Sequence, residues 1–353
     1  MHAAGPEYRA VWVHYTALPA DEPSGDAAVS ALADRLAKAH VNLAFVWVTS
    51  DYLVALDQPW FARYAPQSRW DAVGRLIRAL TLRGVECDLW FAPSEYRRAS
   101  SPDFDSAAGG NPAWRAVGAS GDARPGGPDT VDVCLQHEDA RAWELRLLLS
   151  ALDRYREASG VQIEEPGYTT ADECVCDLCR SLYRRRYGGD IAADIGTERA
   201  SRFKCDAVTT FMRSVRQALA RRDPLLRLSA NGSDDRKADL AKGRDWATWA
   251  RRGYVDFFVP LIYTADPDGF GNRLASVVRA LPPRFPVVVG IGVVWGGGRR
   301  TSVAGLLAEV AAVRQQGGVG VSLFPGQAIT EAQIGSLLAG PFRLKVGLPP
   351  KRR

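Results

Sequence analysis

The segment Tyr8–Tyr15, YRAVWVHY, is apolar at most positions, and Asp26–Ala39 behind it spaces its apolar residues three and four apart. A nearly continuous apolar run marks a strand covered on both faces, because a strand with one wet face alternates; the second spacing marks an amphipathic helix. The couple recurs down the chain. Further strands are predicted at Val41–Thr49, Val85–Ala92, Val161–Glu165, Leu225–Ala230, Val255–Tyr263, Pro286–Val294 and Val319–Phe324. Helices are predicted at about Trp70–Leu82, His137–Ala158, Glu198–Arg222, Trp246–Arg252, Gly271–Ala280, Ser302–Gln316 and Glu331–Leu338. This rhythm predicts the α/β class: one (β/α)8 TIM barrel over residues 1–345, with 346–353 as a basic C-terminal tail. An open doubly wound sheet is the competing arrangement, but no Gly-rich turn follows the first strand. Pro93–Asp129, rich in Gly, Ser, Pro and Asp, interrupts the rhythm without ending it, so it reads as a long loop within the barrel.

Barrels of this kind carry their chemistry at the C-terminal ends of the strands. Strand one ends in Trp12, His14 and Tyr15, strand two in Trp47, Thr49 and Asp51, and strand three in Trp90 with Glu95 and Tyr96 beyond it. Strand four ends in Glu164 and Glu165, five in Asn231, Asp234 and Asp235, six in Tyr263 and Asp266, and seven in Trp295. Aromatic faces stack on sugar C–H surfaces while carboxylates and amides pair with hydroxyls, so the mixture suits a carbohydrate. Taken singly, each aromatic also fits ordinary core packing.

The pair Glu164-Glu165 is harder to explain as structure. Side chains alternate along a strand, so only one of the two should face the barrel axis, and a buried carboxylate there needs an arginine partner if it does no chemistry. Glycoside cleavage needs two carboxyl groups: a proton donor, and either a nucleophile about 5 Å away or a base about 6.5–9.5 Å away. The expected donor is Glu165, with Glu164 as its partner or the nucleophile and Asp266 as the carboxylate across the mouth. Asp234, Asp235 and Glu95 are the other candidates for that second place. Trp12, His14, Trp47, Asp51, Trp90, Asn231, Asp234, Tyr263 and Trp295 are expected to line the sugar site.

Composition and charge narrow the class. With 46% hydrophobic and 24% charged residues the chain is an ordinary globular one. It contains no run of the roughly 18–20 apolar residues that a membrane-spanning helix requires. The net charge of +5 is scattered, and its densest runs, Arg184-Arg-Arg186 and Lys351-Arg-Arg353, have no interleaved aromatics, which argues against nucleic acid as a partner. Met1-His-Ala-Ala-Gly-Pro has neither a basic n-region nor an apolar h-region. The expectation is therefore a protein that stays inside the cell, or an exported one whose signal peptide has been removed.

The cysteines are spaced for metal. Cys174, Cys176 and Cys179 stand too close together to pair easily with one another, and zinc asks for a fourth ligand to complete a tetrahedron. Cys134 is favoured over Cys87, Cys205 and His137 because it opens in the same loop layer, and four thiolates leave no open position, so the zinc would be structural. A three-cysteine site with a water is the catalytic alternative.

These residues resemble known families. VDVCLQHEDARAWELRLLLSALDRYREASGVQIEEPGY followed by CVCDLCRSLYRRRYG is similar to the corresponding region of the family 42 β-galactosidases of the glycoside hydrolases. There a cysteine, a helix, a strand ending in Asn-Glu and a Cys-x-Cys-x-x-Cys loop follow in this order and hold zinc. YRAVWVHYT, GVQIEEPGY, VDFFVPLIYT and GVSLFPG resemble the glycosyl hydrolase-like, family 10-like barrels over most of the chain. The first resemblance implies that Glu165 matches the acid/base glutamate; the second places that acid at Glu164. The chain departs from the galactosidases at strand seven, where Val293, Val294 and Trp295 leave their nucleophile without a counterpart. Three functions follow as alternatives: a glycosidase of carboxylate acid/base type, a barrel that binds glycan without cleaving it, and a metal-dependent hydrolase or lyase using the cysteine site.

Overall fold

The computed structural model describes residues 5–57, 65–93, 95–97, 111–121 and 130–351. Its centre is a closed barrel of parallel strands in chain order around the ring. The strands are β1 (Tyr8–Val13), β2 (Leu43–Val48), β3 (Glu86–Phe91), β4 (Gly160–Ile163), β5 (Arg227–Ser233), β6 (Phe257–Leu261), β7 (Val288–Gly292) and β8 (Gly320–Phe324). Closure comes from β1 against β8, with Tyr8 opposite Gly320 and Val11 opposite Leu323. The single (β/α)8 barrel is thus the observed fold.

The helices wrap this sheet where the periodicity placed them, with additions. Helix α1 spans Glu22–Lys38, starting earlier than its apolar pattern because Asp21 caps it by accepting from Ser24 N at 3.0 Å. The helices Ser50–Asp57, Asp177–Tyr187 and Arg236–Ala241 lie in what the sequence pattern left as loops; each is short, so little periodicity accumulates. Within the loop after β3, Glu95–Arg97 pairs antiparallel with Thr130–Asp132 and so delivers the chain to Cys134.

Strand parity fills the barrel in layers. At its floor Arg227 makes a forked contact with Asp88, 2.7 Å from Nη2 to Oδ1 and 3.3 Å from Nε to Oδ2, and reaches Glu86 at 2.6 Å. Asp88 is fully buried, and burial raises its carboxyl while Arg227 opposes the shift. Gly160 beside them has no room for a side chain, since a Cβ there would meet Asp88 Oδ1 and the Arg227 carbonyl, both at 2.8 Å. One layer higher, Trp12 donates its indole N–H to Gln162 Oε1 and packs on Phe45 at 5.6 Å between ring centres. Gly290 makes space for that tryptophan, as a Cβ would approach its ring to 3.0 Å.

The C-terminal residues continue across the barrel floor. Arg9 Nη1 donates to the Leu344 carbonyl at 2.6 Å, Asn42 Nδ2 to that of Val346 at 3.2 Å, and Lys351 Nζ to that of Pro224 at 2.7 Å. The described part of the basic tail therefore straps the entrances of β1 and β2 to that of β5. Packed layers and a tied floor occupy one end of the barrel, and the opposite rim is where this fold places its chemistry.

A buried acid outside the barrel strands lies in the helix Val303–Gln315. Glu309 faces the sheet at 2% exposure, its Oε2 meets no hydrogen-bond partner, and burial pushes its carboxyl up to about 8. A folded-state value above the unfolded one means that stability is full in acid and is lost as the unfolded chain ionises, until the folded acid ionises too near about 8. Glu309→Gln should therefore flatten the fall in stability between about pH 4.5 and about pH 8 by about 1–3 kcal/mol. Urea unfolding across that range checks this, and parallel curves for wild type and variant would refute it.

Candidate active site and candidate metal centre

At the C-terminal rim the inward-facing residues leave a cavity of about 300 Å³ lined by Trp12, His14, Trp47, Trp90, Glu164, Glu165, Asn231, Leu261, Tyr263 and Phe324. Its walls are aromatic. Trp47 and Trp90 lie 4.3 Å apart between ring centres, His14 stands edge-on to Trp90 at 4.7 Å, and Tyr263 stacks on Phe324 at 5.7 Å. Such walls exclude water and strengthen any electrostatic contact made between them.

Glu164 continues the inward set of Gly160 and Gln162, so its carboxylate enters the cavity by strand parity. Two donors hold one of its oxygens: the indole N–H of Trp90 and the amide of Asn231 both reach Oε2. The orientation of Asn231 is fixed from its other end, because Oδ1 accepts from Glu165 N at 2.7 Å and only Nδ2 can then face Glu164. With Oε2 occupied as an acceptor by two N–H groups, a proton on this acid would ride on Oε1.

Parity alone would turn Glu165 away. Its backbone instead takes φ +31°, a left-handed value that a side chain rarely adopts, and this turn brings Glu165 to the rim of the same cavity. There Arg244 Nη1 donates to Glu165 Oε1 at 2.7 Å, and the same guanidinium donates through Nη2 to the Tyr168 carbonyl at 3.1 Å. Behind it Asp239 lies 3.5 Å from Arg244 and accepts from Trp246 Nε1 at 3.0 Å; burial pushes Asp239 up to about 7, against the pull of Arg244. Across the cavity, burial first and then Glu164 and Glu165 raise the Tyr263 phenol well above its ordinary value, so it is a hydrogen-bond donor at neutral pH.

Of the residues expected from the sequence, Trp12, His14, Trp47, Trp90, Glu164, Glu165, Asn231 and Tyr263 come together here. Others fall elsewhere. Asp266 is exposed at the head of the helix Pro267–Ala280, Asp234 pairs with Arg273 at 3.4 Å, and Asp235 caps the helix Arg236–Ala241. Asp51 is buried in the first turn of the helix Ser50–Asp57, and Trp295 sits on a two-residue strand beneath the Arg299 guanidinium. The side chains of Glu95 and Tyr96 lie outside the described residues. The pattern missed Phe324, the last residue of its own predicted strand eight, and Arg244, whose contact with Glu165 spans 79 positions and leaves no local signal.

The second cluster lies beside the first. Cys134, Cys174, Cys176 and Cys179 are all buried, and their sulfurs lie within 4.8 Å of one another. Zinc–thiolate bonds of about 2.3 Å put the sulfurs of a tetrahedron about 3.8 Å apart, so the four fit a metal of that kind. No disulfide joins them. Contact with Cys134 first and then Cys176 pushes the Cys174 thiol well above its ordinary range, with Cys179 opposing, and contact with Cys134, Cys174 and Cys176 does the same to Cys179; a bound cation would remove the obstacle to ionising them. Backbone N–H groups of Val117 and Cys176 point at Cys174 Sγ, at 3.4 and 3.5 Å, and the Tyr168 phenol lies 3.5 Å from Cys134 Sγ. His137 Nε2 stands 3.9 Å from Cys176 Sγ, outside the set of four. Cys87 and Cys205 are buried outside the set of four, in β3 and in the helix Glu198–Arg222, where their thiols face backbone carbonyls.

No protein-family model and no curated relative matches the chain. Among solved structures it is similar to the catalytic domain of β-amylase from Paenibacillus polymyxa, with TM-score 0.63 and 11% identity over 97% of this chain and 99% of that one. It is also similar to β-galactosidase from the psychrophilic Marinomonas ef1, with TM-score 0.69 and 12% identity over 95% of this chain. A third is α-L-fucosidase isoenzyme 2 from Paenibacillus thiaminolyticus, with TM-score 0.63 and 16% identity over 94% of this chain. The chain spans 59% and 49% of the latter two chains. At such identities the likeness is one of fold.

If the four cysteines hold a metal that fastens the loop after β4, stripping it should loosen the protein. Exhaustive chelation is expected to lower Tm by roughly 5 °C or more, and Cys176→Ser to abolish stoichiometric metal in elemental analysis. An unchanged Tm after metal loss would eliminate the clamp.

Proposed function

We propose that the protein is a glycoside hydrolase acting on an oligo- or polysaccharide, with Glu164 as the proton donor and Glu165 as the second carboxylate. The observation that carries this is the Glu164 carboxylate, aimed into an aromatic-walled cavity with one oxygen fixed by Trp90 and Asn231. The sequence favoured Glu165 as donor. Its ion pair with Arg244 at 2.7 Å favours the opposite assignment, because a donor must begin the reaction protonated, whereas a guanidinium partner suits a carboxylate that begins it charged. Glu164 lies on the inward face of the strand, with its carboxylate in the cavity.

In this reading a sugar ring packs on Trp47, Trp90 and Phe324, and Tyr263 and His14 meet its hydroxyls. Glu164 passes its Oε1 proton to the glycosidic oxygen as the bond to the anomeric carbon breaks. The charge that develops on the ring is stabilised by the ionised Glu165, which also accepts a proton from the attacking water. The product hemiacetal leaves with Glu164 ionised and Glu165 protonated; Glu165 gives its proton to solvent and Glu164 takes one up, which restores both. Similar folds in enzymes named as an amylase, a galactosidase and a fucosidase agree with carbohydrate chemistry at this rim.

Zinc is the proposed metal for the cysteine centre, in a structural role. Four thiolates fill its coordination shell, which disfavours the metal-dependent hydrolase or lyase. The non-catalytic glycan binder is favoured only by the exposed position of Asp266 and the apolar end of β7.

Glu164→Gln should reduce kcat by about 10³-fold or more with KM little changed, because the amide keeps the shape but has no proton to give. Glu165→Gln should also lower kcat, and azide should restore part of the rate if its carboxylate is the lost base. Reducing-end release from a glycan panel is the assay. Full activity in both folded variants would refute the assignment, and tight glycan binding by wild type without any released ends would replace it with the binding reading.

A further inference from the structure

The cysteine centre and the cavity share one strand end but are joined by more than sequence. From the cysteines, the Tyr168 phenol contacts Cys134 Sγ at 3.5 Å; with the sulfur bound as thiolate, the O–H is the donor. Tyr168 is buried at 1% exposure, and its main chain is gripped on both sides by another loop: its N–H donates to the Lys242 carbonyl at 2.9 Å and its carbonyl accepts from Arg244 at 3.1 Å. No slack exists beside it, because a Cβ on Gly167 would come within 2.3 Å of the Lys242 carbonyl. Arg244, itself 5% exposed, then spends its other terminal nitrogen on Glu165. The path thiolate, phenol, Tyr168 carbonyl, guanidinium, Glu165 carboxylate is continuous: phenol and carbonyl belong to one residue, and the last two links are hydrogen bonds of ordinary length.

The geometry points to Tyr168 and Arg244 as positioning residues that couple the cysteine metal centre to Glu165, so that metal occupancy and the placement of that carboxylate stabilise each other. The inference takes from the proposed function only the meaning of Glu165. The contacts themselves do not depend on it.

Physical necessity supplies the reciprocity. If a bound metal holds Tyr168 where Arg244 can reach both its carbonyl and Glu165, then losing the Glu165 contact must weaken the hold on the metal by the same factor. A clamp that merely staples the loop makes no such demand, because Glu165 touches none of the cysteines.

The test uses the full chain loaded with cobalt(II), whose thiolate charge-transfer absorption reports the centre directly. Release into excess EDTA is followed below the unfolding range for wild type, Glu165→Gln, Glu165→Ala, Tyr168→Phe and the double variant Tyr168→Phe with Glu165→Ala. Glu331→Gln, which breaks the remote surface pair with Arg35, serves as control. Expected is release from Glu165→Ala about fivefold or more faster than from wild type, a smaller effect for the hydrogen-bonding Glu165→Gln, and none for Glu331→Gln. The effects of Tyr168→Phe and Glu165→Ala should not add, as they cut one path. Cobalt release from Glu165→Ala at the wild-type rate overturns the coupling, and Glu165→Ala decides the matter alone if Tyr168→Phe does not fold. Absence of glycan cleavage by wild type would bear on the proposed function and leave these rates untouched.

Discussion

A buried guanidinium needs its charge met, and the rim of this barrel is organised around the two terminal nitrogens of Arg244, whose Nε is left without a hydrogen-bond partner among the described residues. Removed from water, an arginine without partners is among the costliest groups a fold can hold, and truncating one member of such a set leaves the others as buried orphans. Here the partners come from three places: a carboxylate just past β4, a carbonyl in the loop that follows, and Asp239 from the element after β5. Two adjacent loops are thereby committed to each other. The direction of Glu165, the path of the cysteine loop and the wall of the cavity on that side all follow from satisfying one cation.

The two ends of the barrel treat charge differently. At the floor, Arg227 and Asp88 form a forked pair with Glu86 at its edge, closed over by the C-terminal strap. Their charges are used up internally. At the mouth, one oxygen of Glu164 is anchored by donors that carry no net charge, Trp90 and Asn231. The same residue types serve cohesion at one end and are kept available at the other.

The fold was legible because parallel barrels write themselves in long apolar runs, and eight of these survive the interruption between β3 and β4. The candidate site was legible in part, for a reason of parity: Gly160, Gln162 and Glu164 are two apart, as are Trp12 and His14, so the inward set can be counted off the sequence. What could not be counted is the chain after a strand stops alternating. Glu165 reaches the rim through a left-handed turn, and Arg244 reaches Glu165 across two loops; neither event has a period. Asp266 shows the reverse error, since proximity to a strand end in sequence placed it in the mouth, whereas the helix it begins carries it out to solvent. The cysteines were the easiest part. Metal coordination demands close spacing, and three of the four sulfurs come from six consecutive positions.

The left-handed backbone at Glu165 has a consequence for how such a chain drifts under mutation. Glycine is at home at φ +31° and glutamate is not, so the position sits uphill of its own best residue by roughly 1 kcal/mol. Random change filtered for foldedness alone would slide toward glycine or asparagine there. A glutamate that persists at such a place records a second demand besides folding, and copies of this barrel released from that demand should lose the residue early while gaining, if anything, in robustness.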